Sequence, residues 1–208
     1  MTAVVIPAHR TGYAIGKRLF DLAVCLVMLP AIAVVLGVTA LAIWIDSPGP
    51  VVFRQQRTGR HGRRFGMYKF RTMVRNAEEL KADLQHLSIV PAPDFKVIDD
   101  PRITRVGRFL RKSSLDELPQ LLNVIRGEMS LVGPRPTSFA PSTYDLWHTE
   151  RLEVLPGITG LWQVVGRNAA TFDERLRLDI AYIDLMSFRM DLWILAQTLL
   201  AVVRRSGA

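Results

Sequence analysis

The longest hydrophobic stretch of the chain is an uncharged run of 24 residues near its N-terminus, Leu22 to Ile45. About 20 apolar residues in a helix are enough to cross a bilayer, so the run predicts a helix that enters a membrane. It is too long for a cleaved signal peptide and ends without the small-residue pattern of a cleavage site. Pro30 lies inside the run and predicts a bend, because proline removes a backbone hydrogen bond and clashes with the preceding turn.

Short alternating segments follow the apolar run and predict a β-hairpin. Val51 to Phe53 has the composition of a short strand, and the turn-rich segment Gly59 to Gly66 precedes a second strand, Met67 to Arg71. Side chains alternate between the two faces of a strand. Lys69 and Arg71 are therefore predicted to project from the same face.

Apolar residues recur at helical spacing in four later segments. These are residues 76–89, 118–126 (ended by Gly127), 172–188 and 190–203. The last segment is too short to span a bilayer. It is predicted to lie in the plane of the membrane interface, with a buried core helix as the alternative.

Positive charge is concentrated next to the apolar run. The net charge is +8, and the segment from Ser47 to Ala77 holds eight cations and no acid. Arg10, Lys17 and Arg18 precede the run, so the positive-inside rule places both of its ends in the cytoplasm. A helix bent at Pro30 that enters and leaves through one face satisfies this rule, and an ordinary kinked span is the alternative.

So basic a chain points to an anionic partner, which could be nucleic acid, phospholipid head groups or a phosphorylated substrate. Cys25 is the only cysteine, which excludes an intramolecular disulfide and fits a reducing compartment. The four histidines are scattered without ligand-type spacing, which argues against a zinc site.

Two adjacent carboxylates, Asp116 and Glu117, stand between Arg111 and a Gly-Pro-Arg-Pro turn that contains Arg135. Adjacent acids among fixed cations suit chemistry on an anionic substrate. A structural interpretation is also open, because Ser114 and Glu117 have the spacing of a helix capping box.

Five motifs follow one another along the chain. They are Lys17-Arg-Leu-Phe-Asp21, Lys69-Phe-Arg-Thr-Met73, Ser114-Leu-Asp-Glu-Leu-Pro-Gln-Leu-Leu-Asn123, Gly133-Pro-Arg-Pro136 and Pro156-Gly-Ile-Thr-Gly-Leu-Trp-Gln163. In order and spacing they resemble the bacterial sugar transferases, the small monotopic phosphoglycosyl transferases that start exopolysaccharide and glycan assembly. The resemblance extends from about Lys17 to the C-terminus.

The resemblance implies a reaction in which a UDP-sugar gives its sugar 1-phosphate to undecaprenyl phosphate and releases UMP. It implies Asp116 as the nucleophile that forms a covalent phosphosugar intermediate. Glu117 would be its magnesium-binding or proton-handling neighbour, with Mg²⁺ bound at the pair. A hexose is the expected sugar, and N-acetylated or diamino sugars are open. A carboxylate nucleophile divides one displacement into two, so one site can expel UMP and then accept the lipid phosphate.

The resemblance also assigns substrate phosphate to five basic residues, Lys69, Arg71, Arg111, Arg135 and Arg167. Arg126 and Asp179 are further candidates, and a solvated helix face is an alternative explanation for Asp179. One position departs from the family pattern. Where relatives carry Ser-Pro at the helix break, this chain has Leu29-Pro30, which removes a hydroxyl that could satisfy a freed backbone group.

The predicted fold is α+β and membrane-associated, with an N-terminal re-entrant, Pro-kinked membrane helix, a small cytoplasmic α/β catalytic domain and interfacial amphipathic helices. Its parts are a flexible N-terminus (1–16), a re-entrant membrane helix-turn-helix (17–46) and the catalytic domain (47–208). The implied location is the bacterial inner membrane, with the catalytic domain on the cytoplasmic face. The expected partners are a UDP-sugar, undecaprenyl phosphate and membrane phospholipid, without nucleic acid, and a homodimer is open.

Two other functions are alternatives on the residues alone. A membrane-anchored nucleic-acid-binding protein would use the basic segment, although the sequence has no recognition-helix or aromatic-platform signature. A Mg²⁺-dependent phosphohydrolase would use water as the acceptor in place of undecaprenyl phosphate. The Lys-Phe-Arg and Gly-Pro-Arg-Pro motifs argue against both.

Overall fold

One long helix, α1 (Ala8–Asp46), forms the N-terminal part of the molecule. The computed structural model describes residues 8–89, 95, 97–140, 145–166 and 171–204. Among these residues, Gly12–Asp46 is the one helical stretch long and apolar enough to cross a membrane. The rest of the protein leaves its middle uncovered, since Leu26 is 72% exposed and Val34 is 68% exposed.

Two predictions about this helix need correction. Residues 8–16 of the predicted flexible N-terminus are helical, because Tyr13 and Lys17 both bond to the buried carboxylate of Asp191 and tie this end to the domain. The helix-turn-helix predicted over 17–46 is a single helix that continues through Pro30. The effect of a proline is confined to the preceding turn, where it removes one hydrogen bond and clashes with a carbonyl, so the residues on either side can keep helical structure.

Both ends of α1 contact the same folded domain. Near the N-terminal end, the Arg18 guanidinium donates to the backbone carbonyl of Val124 at 2.5 Å. Near the C-terminal end, Ile43 is 3% exposed and packs with Phe70 and Leu110. The helix is therefore anchored twice, with an exposed apolar stretch between the anchors.

The predicted hairpin is confirmed. Strand β1 (Val52–Thr58) pairs antiparallel with β2 (Arg64–Phe70), and Val52 stands opposite Phe70. Val52 is 43% exposed, whereas Met67 and Phe70 are buried in the core. The hairpin thus carries Lys69 on a strand that is held from the inside by apolar packing.

The remaining elements are short and follow in chain order. They are α2 (Glu79–Asp83), α3 (Arg105–Ser113), α4 (Leu121–Arg126), β3 (Ser130–Val132), β4 (Gly157–Thr159), α5 (Leu161–Val165), α6 (Phe172–Leu185) and α7 (Phe188–Val203), with 3₁₀ segments at Arg60–Gly62, Gln85–Leu87, Leu115–Gln120 and Leu146–Leu152. Strands β3 and β4 pair in parallel. The helix predicted over 76–89 is reduced to α2 and a 3₁₀ turn. The predicted stop at Gly127 is confirmed, with a φ of +79°.

Helix α3 packs directly against the chain that leaves β2. A Cβ atom on Gly107 would lie 2.0 Å from the backbone oxygen of Thr72, so no residue larger than glycine fits at this crossing. The backbone N–H of Thr104 also donates to that oxygen at 3.1 Å. The contact places the C-terminal end of α3 beside the strand that carries Lys69.

The core lies between the start of α1, the strands and helices α4, α6 and α7. It contains Cys25, Met67, Val124, Met129 and Ile194 among its buried side chains. Helix α7 supplies Ile194 at 0% exposure, whereas Leu199 is 68% exposed and Val203 is 78% exposed. The segment 190–203 is therefore a core helix on one face, and its other face is the exposed apolar surface expected of an interfacial helix.

Candidate active site

The acidic pair, Asp116 and Glu117, follows a change of backbone conformation at the end of α3. Helix α3 ends at Ser113, and Ser114 adopts the left-handed conformation with a φ of 59°. The chain then continues as the 3₁₀ segment Leu115–Gln120, whose first turn carries Asp116 and Glu117. The side chain of Ser114 makes no capping hydrogen bond, so the predicted capping box is wrong. Ser114 occupies the position where glycine usually ends a helix, and Glu117 turns its carboxylate to other partners.

Glu117 is the centre of a group of ion pairs. Its Oε1 accepts from the Lys69 ammonium at 2.9 Å and from the Arg135 guanidinium, which also donates to Oε2 at 3.2 Å. Burial alone would raise the pKa of Glu117, but the charges and hydrogen bonds of Arg135 and Lys69 hold that pKa well below its usual range. Glu117 therefore stays ionised near neutral pH and holds two cations in place.

Asp116 lies beside this group in a different electrostatic state. Burial raises the pKa of its carboxyl above the usual range, and the negative charge of Glu117 adds to the rise, while Lys69, Arg111 and Arg135 oppose it. Within the described part of the chain its carboxylate accepts no hydrogen bond. A partly desolvated carboxylate without donors is the more nucleophilic of the two acids.

The strand that carries Lys69 is fixed from behind by Asn123. The Asn123 amide is fully buried, accepts from the backbone N–H of Tyr68 at 3.0 Å and donates to the carbonyl of Gly66 at 2.9 Å. Burial lowers the pKa of Lys69, and its ion pair with Glu117 opposes that shift. Asn123 thus aligns the strand so that the ammonium reaches the carboxylate.

Arg111 and Arg135 reach the acidic pair from two other parts of the chain. Arg111 stands near the end of α3, where its Nε donates to the Thr72 hydroxyl at 2.8 Å and its charge acts on Asp116. Arg135 follows β3 between two prolines, which restrict the backbone on both sides. Its carbonyl accepts from the buried guanidinium of Arg151 at 2.5 Å.

The arrangement can accommodate a divalent cation on the acidic pair. Across the described ranges, no group of three or more histidine, cysteine, aspartate or glutamate side chains could hold a metal ion. A carboxylate offers about four lone-pair positions, and the N–H donors of Lys69 and Arg135 use three on Glu117. One position on Glu117 and the oxygens of Asp116 remain for a cation. Mg²⁺ often binds through one or two carboxylates, with water and substrate phosphate completing its shell.

The residues of this candidate site come from motifs that are distributed along most of the chain. In the site, the Glu117 carboxylate lies between cations. The sequence model of the family called bacterial sugar transferase matches residues 12–205. The chain belongs to the bacterial sugar transferase family. This confirms the resemblance drawn from the five motifs.

Individual sugar transferases are similar along most of this chain. A galactosyl transferase, CpsE, of Streptococcus agalactiae is 43% identical over 96% of the chain, and an undecaprenyl-phosphate galactose phosphotransferase of Salmonella typhimurium is 47% identical over 92%. The chain spans 45% and 41% of the length of these two relatives. An exopolysaccharide production protein, ExoY, of Sinorhizobium fredii is 37% identical over all of the chain and 96% of its own length.

Not every basic residue predicted for this sugar transferase site lies beside the acidic pair. Arg71 directly follows β2, and its guanidinium donates instead to the backbone carbonyl of Ser47. Arg126 donates to the Tyr68 hydroxyl at 2.5 Å. Arg167 lies outside the described residues.

Buried polar residues that hold the site were missed in the sequence. Arg151 is 4% exposed and pairs with Asp179, which is 1% exposed, so the solvated-face explanation for Asp179 is wrong. Asn123 carries a readable signal, because it is a polar residue with two apolar residues on each side in a predicted helix. Arg151 stands between acids in an irregular segment, where nothing in the pattern marks it as buried.

Proposed function

We propose that this sugar transferase moves a sugar 1-phosphate, expected to be a hexose phosphate, from a UDP-sugar to undecaprenyl phosphate and releases UMP. The observation that carries the proposal is the Asp116–Glu117 pair, in which one acid is fixed by Lys69 and Arg135 and the other accepts no hydrogen bond within the described residues. The names of the Salmonella relative and of an undecaprenyl-phosphate glucose phosphotransferase of Komagataeibacter xylinus, 43% identical, support the acceptor and the hexose.

In the first step, a carboxylate oxygen of Asp116 forms a bond to the β-phosphorus of the UDP-sugar. The bond from that phosphorus to the bridging oxygen breaks, and UMP leaves with the oxygen and its electron pair. Repulsion between an anionic nucleophile and a diphosphate must be offset. Arg135, Lys69 and Arg111 supply fixed positive charge around the phosphorus, and such preorganised charge stabilises the transition state.

In the second step, a phosphate oxygen of undecaprenyl phosphate forms a bond to the same phosphorus. The Asp116 oxygen leaves with its electron pair, and the free carboxylate is restored. Because the same cations face the phosphorus in both steps, one site serves both displacements.

Mg²⁺ is part of this proposal, and Asp116 and Glu117 would hold it. When bound, the ion would neutralise charge on the substrate phosphates. Binding of the ion would require an ionised Glu117, and the low pKa of Glu117 keeps it ionised. Lys69 and Arg135 keep that carboxylate in one orientation.

We place the domain at the cytoplasmic face of the bacterial inner membrane by the positive-inside rule, and the contacts of α1 support a re-entrant arrangement there. Arg18 and Ile43 would be roughly 37 Å apart along a straight helix, which exceeds the roughly 30 Å hydrocarbon core of a bilayer. A straight span perpendicular to the bilayer would therefore separate them on opposite sides, yet both contact the same domain. In the proposed arrangement the helix continues through Pro30 but bends there, which would bring both ends to one face while the exposed middle enters the lipid.

Cysteine labelling tests this topology. In a Cys25→Ser background, the variants Thr11→Cys and Gln55→Cys are expected to react with a membrane-impermeant maleimide from the cytoplasmic side alone, because both ends of α1 lie with the domain. The measurement compares inverted vesicles with intact spheroplasts. Labelling of the two positions from opposite sides would refute the re-entrant arrangement.

A UMP-release assay tests the proposed function itself. Purified protein with undecaprenyl phosphate is expected to turn over UDP-glucose or UDP-galactose, and a panel that includes UDP-N-acetylglucosamine identifies the sugar. Without undecaprenyl phosphate, release should stop after about one equivalent, because the covalent intermediate has no acceptor. Continued turnover without the lipid would indicate hydrolysis and would overturn the transferase proposal.

A further inference from the structure

Thr72 contacts Arg111, one of the cations whose charge acts on Asp116. The Thr72 side chain is 7% exposed, whereas Arg111 is exposed at the surface. The Thr72 hydroxyl accepts a hydrogen bond from Arg111 Nε at 2.8 Å. The reaction steps above assign no role to Thr72, although it lies directly behind a cation that they use.

This hydrogen bond uses only one of the three guanidinium nitrogens of Arg111. Within the described ranges, the two terminal nitrogens donate to no other residue. A guanidinium has five N–H groups, and four of them are on the terminal nitrogens, where they can bind two phosphate oxygens at once. Arg111 is therefore held near its base and keeps its terminal nitrogens available for a phosphate.

The packing of α3 against β2 does not depend on this hydrogen bond. The backbone oxygen of Thr72 accepts from the Thr104 N–H at 3.1 Å, and Gly107 lies directly against the same oxygen. Leu110, about one turn further along α3, is 2% exposed in the core. Removal of the Thr72 hydroxyl should therefore leave the helix in place and affect mainly the guanidinium of Arg111.

Asp116 is a competing partner for this guanidinium. The two groups interact through space, but within the described part of the chain they form no ion pair. Arginine and a carboxylate readily form a pair through two parallel hydrogen bonds. Such a pair would occupy the terminal nitrogens of Arg111, and it would also make Asp116 a weaker nucleophile because its carboxylate would accept hydrogen bonds. The site works only if Arg111 and Asp116 stay apart.

We propose that Thr72 is a positioning residue, whose hydroxyl binds Arg111 Nε, keeps the guanidinium away from Asp116 and leaves its terminal nitrogens for the substrate phosphate. The inference rests on the proposed transfer of a sugar 1-phosphate and adds the residue that separates the cation from the nucleophile. Without the hydroxyl, the Nε–H loses its acceptor, and the guanidinium turns toward Asp116, the acid whose charge acts on it most strongly. Thr72 thus acts through Arg111 and not through a contact with the substrate.

Two substitutions at Thr72 test this role. Thr72→Val keeps the shape and removes the hydroxyl. It should lower kcat for UMP release by at least about tenfold and change the KM for the UDP-sugar by less than about threefold, because the contact of Arg111 with phosphate strengthens as charge develops. Thr72→Ser keeps the hydroxyl and should retain at least about half of the wild-type kcat. Thr149→Val, the same change at an exposed position, should keep the wild-type rate. Equal losses in Thr72→Ser and Thr72→Val would attribute the effect to the methyl group and overturn the proposal.

A double-mutant cycle then assigns the effect to Arg111. In single-turnover measurements with a radiolabelled UDP-sugar, Thr72→Val should cost at least about tenfold in the wild-type background but less than about twofold in Arg111→Ala, where no guanidinium is left to position. Equal losses in the two backgrounds would overturn the proposal. If Thr72→Val fails to fold, Thr72→Ala removes the same hydroxyl and takes its place in the cycle. A wild-type protein that releases no UMP would contradict the proposed function instead.

Discussion

Replacement of Asp116 by asparagine is expected to lower the rate of UMP release by at least about a thousandfold, because the amide cannot attack phosphorus. Asparagine has nearly the same shape as aspartate, and the Asp116 carboxylate accepts no hydrogen bond from the described residues. The fold should therefore be preserved. The measurement is the initial rate of UMP release with saturating UDP-sugar and undecaprenyl phosphate, together with the melting temperature of the purified variant.

The matched control for Asp116→Asn is Asp184→Asn, which makes the same change at an exposed position on α6. It should retain the wild-type rate. Mass spectrometry of wild-type protein with UDP-sugar alone should detect the phosphosugar adduct, and the adduct should be absent from Asp116→Asn. Wild-type release in the variant would remove Asp116 as the nucleophile.

The pH profile of the wild type gives a second readout for this carboxyl. Burial raises its pKa above the usual range of an aspartate, and the proposed nucleophile is its ionised form. The first half-reaction should therefore lose rate on acidification at a pH above that of an ordinary aspartate. Glu117 does not contribute to this decline, because its pKa is shifted in the opposite direction.

Structural elements that depend on a periodic pattern of apolar residues could be predicted from the sequence. The apolar run and the alternating segments predicted α1 and the hairpin, because both depend on local periodicity and on turn residues. The motifs also identified Lys69, Glu117 and Arg135, which the fold brings into direct contact. These residues are separated by 48 and 18 positions in the chain, so their contact depends on tertiary structure that periodicity does not encode.

The failures have two physical causes. Ser114 fits a capping box by spacing, but its left-handed backbone turns the side chain away from the helix N-terminus. Arg71 fits the alternation of β2, but its guanidinium is held by the backbone carbonyl of Ser47. The burial of Arg151 becomes visible only when Asp179 on α6 packs against it. The outcomes for Arg71 and Arg151 depend on partners distant in sequence, whereas that for Ser114 depends on its own backbone conformation.

The fold explains why the two acids differ despite being adjacent. Side chains on a 3₁₀ segment are about 120° apart per residue, so neighbours face different surroundings. Glu117 faces β2 and the turn after β3, which supply Lys69 and Arg135. Asp116 interacts with the positive charges of Lys69, Arg135 and Arg111 only through space. Glu117 thus holds the cations in place, and Asp116 remains available for the proposed nucleophilic attack.

Arg135→Lys is expected to reduce the rate of UMP release by roughly 10²- to 10³-fold, the range typical of losing a preorganised donor that faces developing charge. Arginine holds both oxygens of Glu117 at once, and its fork still has donors for phosphate. A lysine ammonium keeps the charge but has neither the planar fork nor the same reach. The loss should appear mainly in kcat, because the interaction strengthens as charge develops on the departing phosphate.

The control for Arg135→Lys is Arg126→Lys, which makes the same change where the guanidinium contacts Tyr68 and not the acidic pair. It should keep at least about half of the wild-type rate, as expected for a substitution outside the site. Exogenous guanidinium should partly restore UMP release in Arg135→Ala, because the small cation can occupy the space beside Glu117. A rate within about threefold of wild type in Arg135→Lys would show that charge alone is sufficient there, and that the two-oxygen contact with Glu117 is structural.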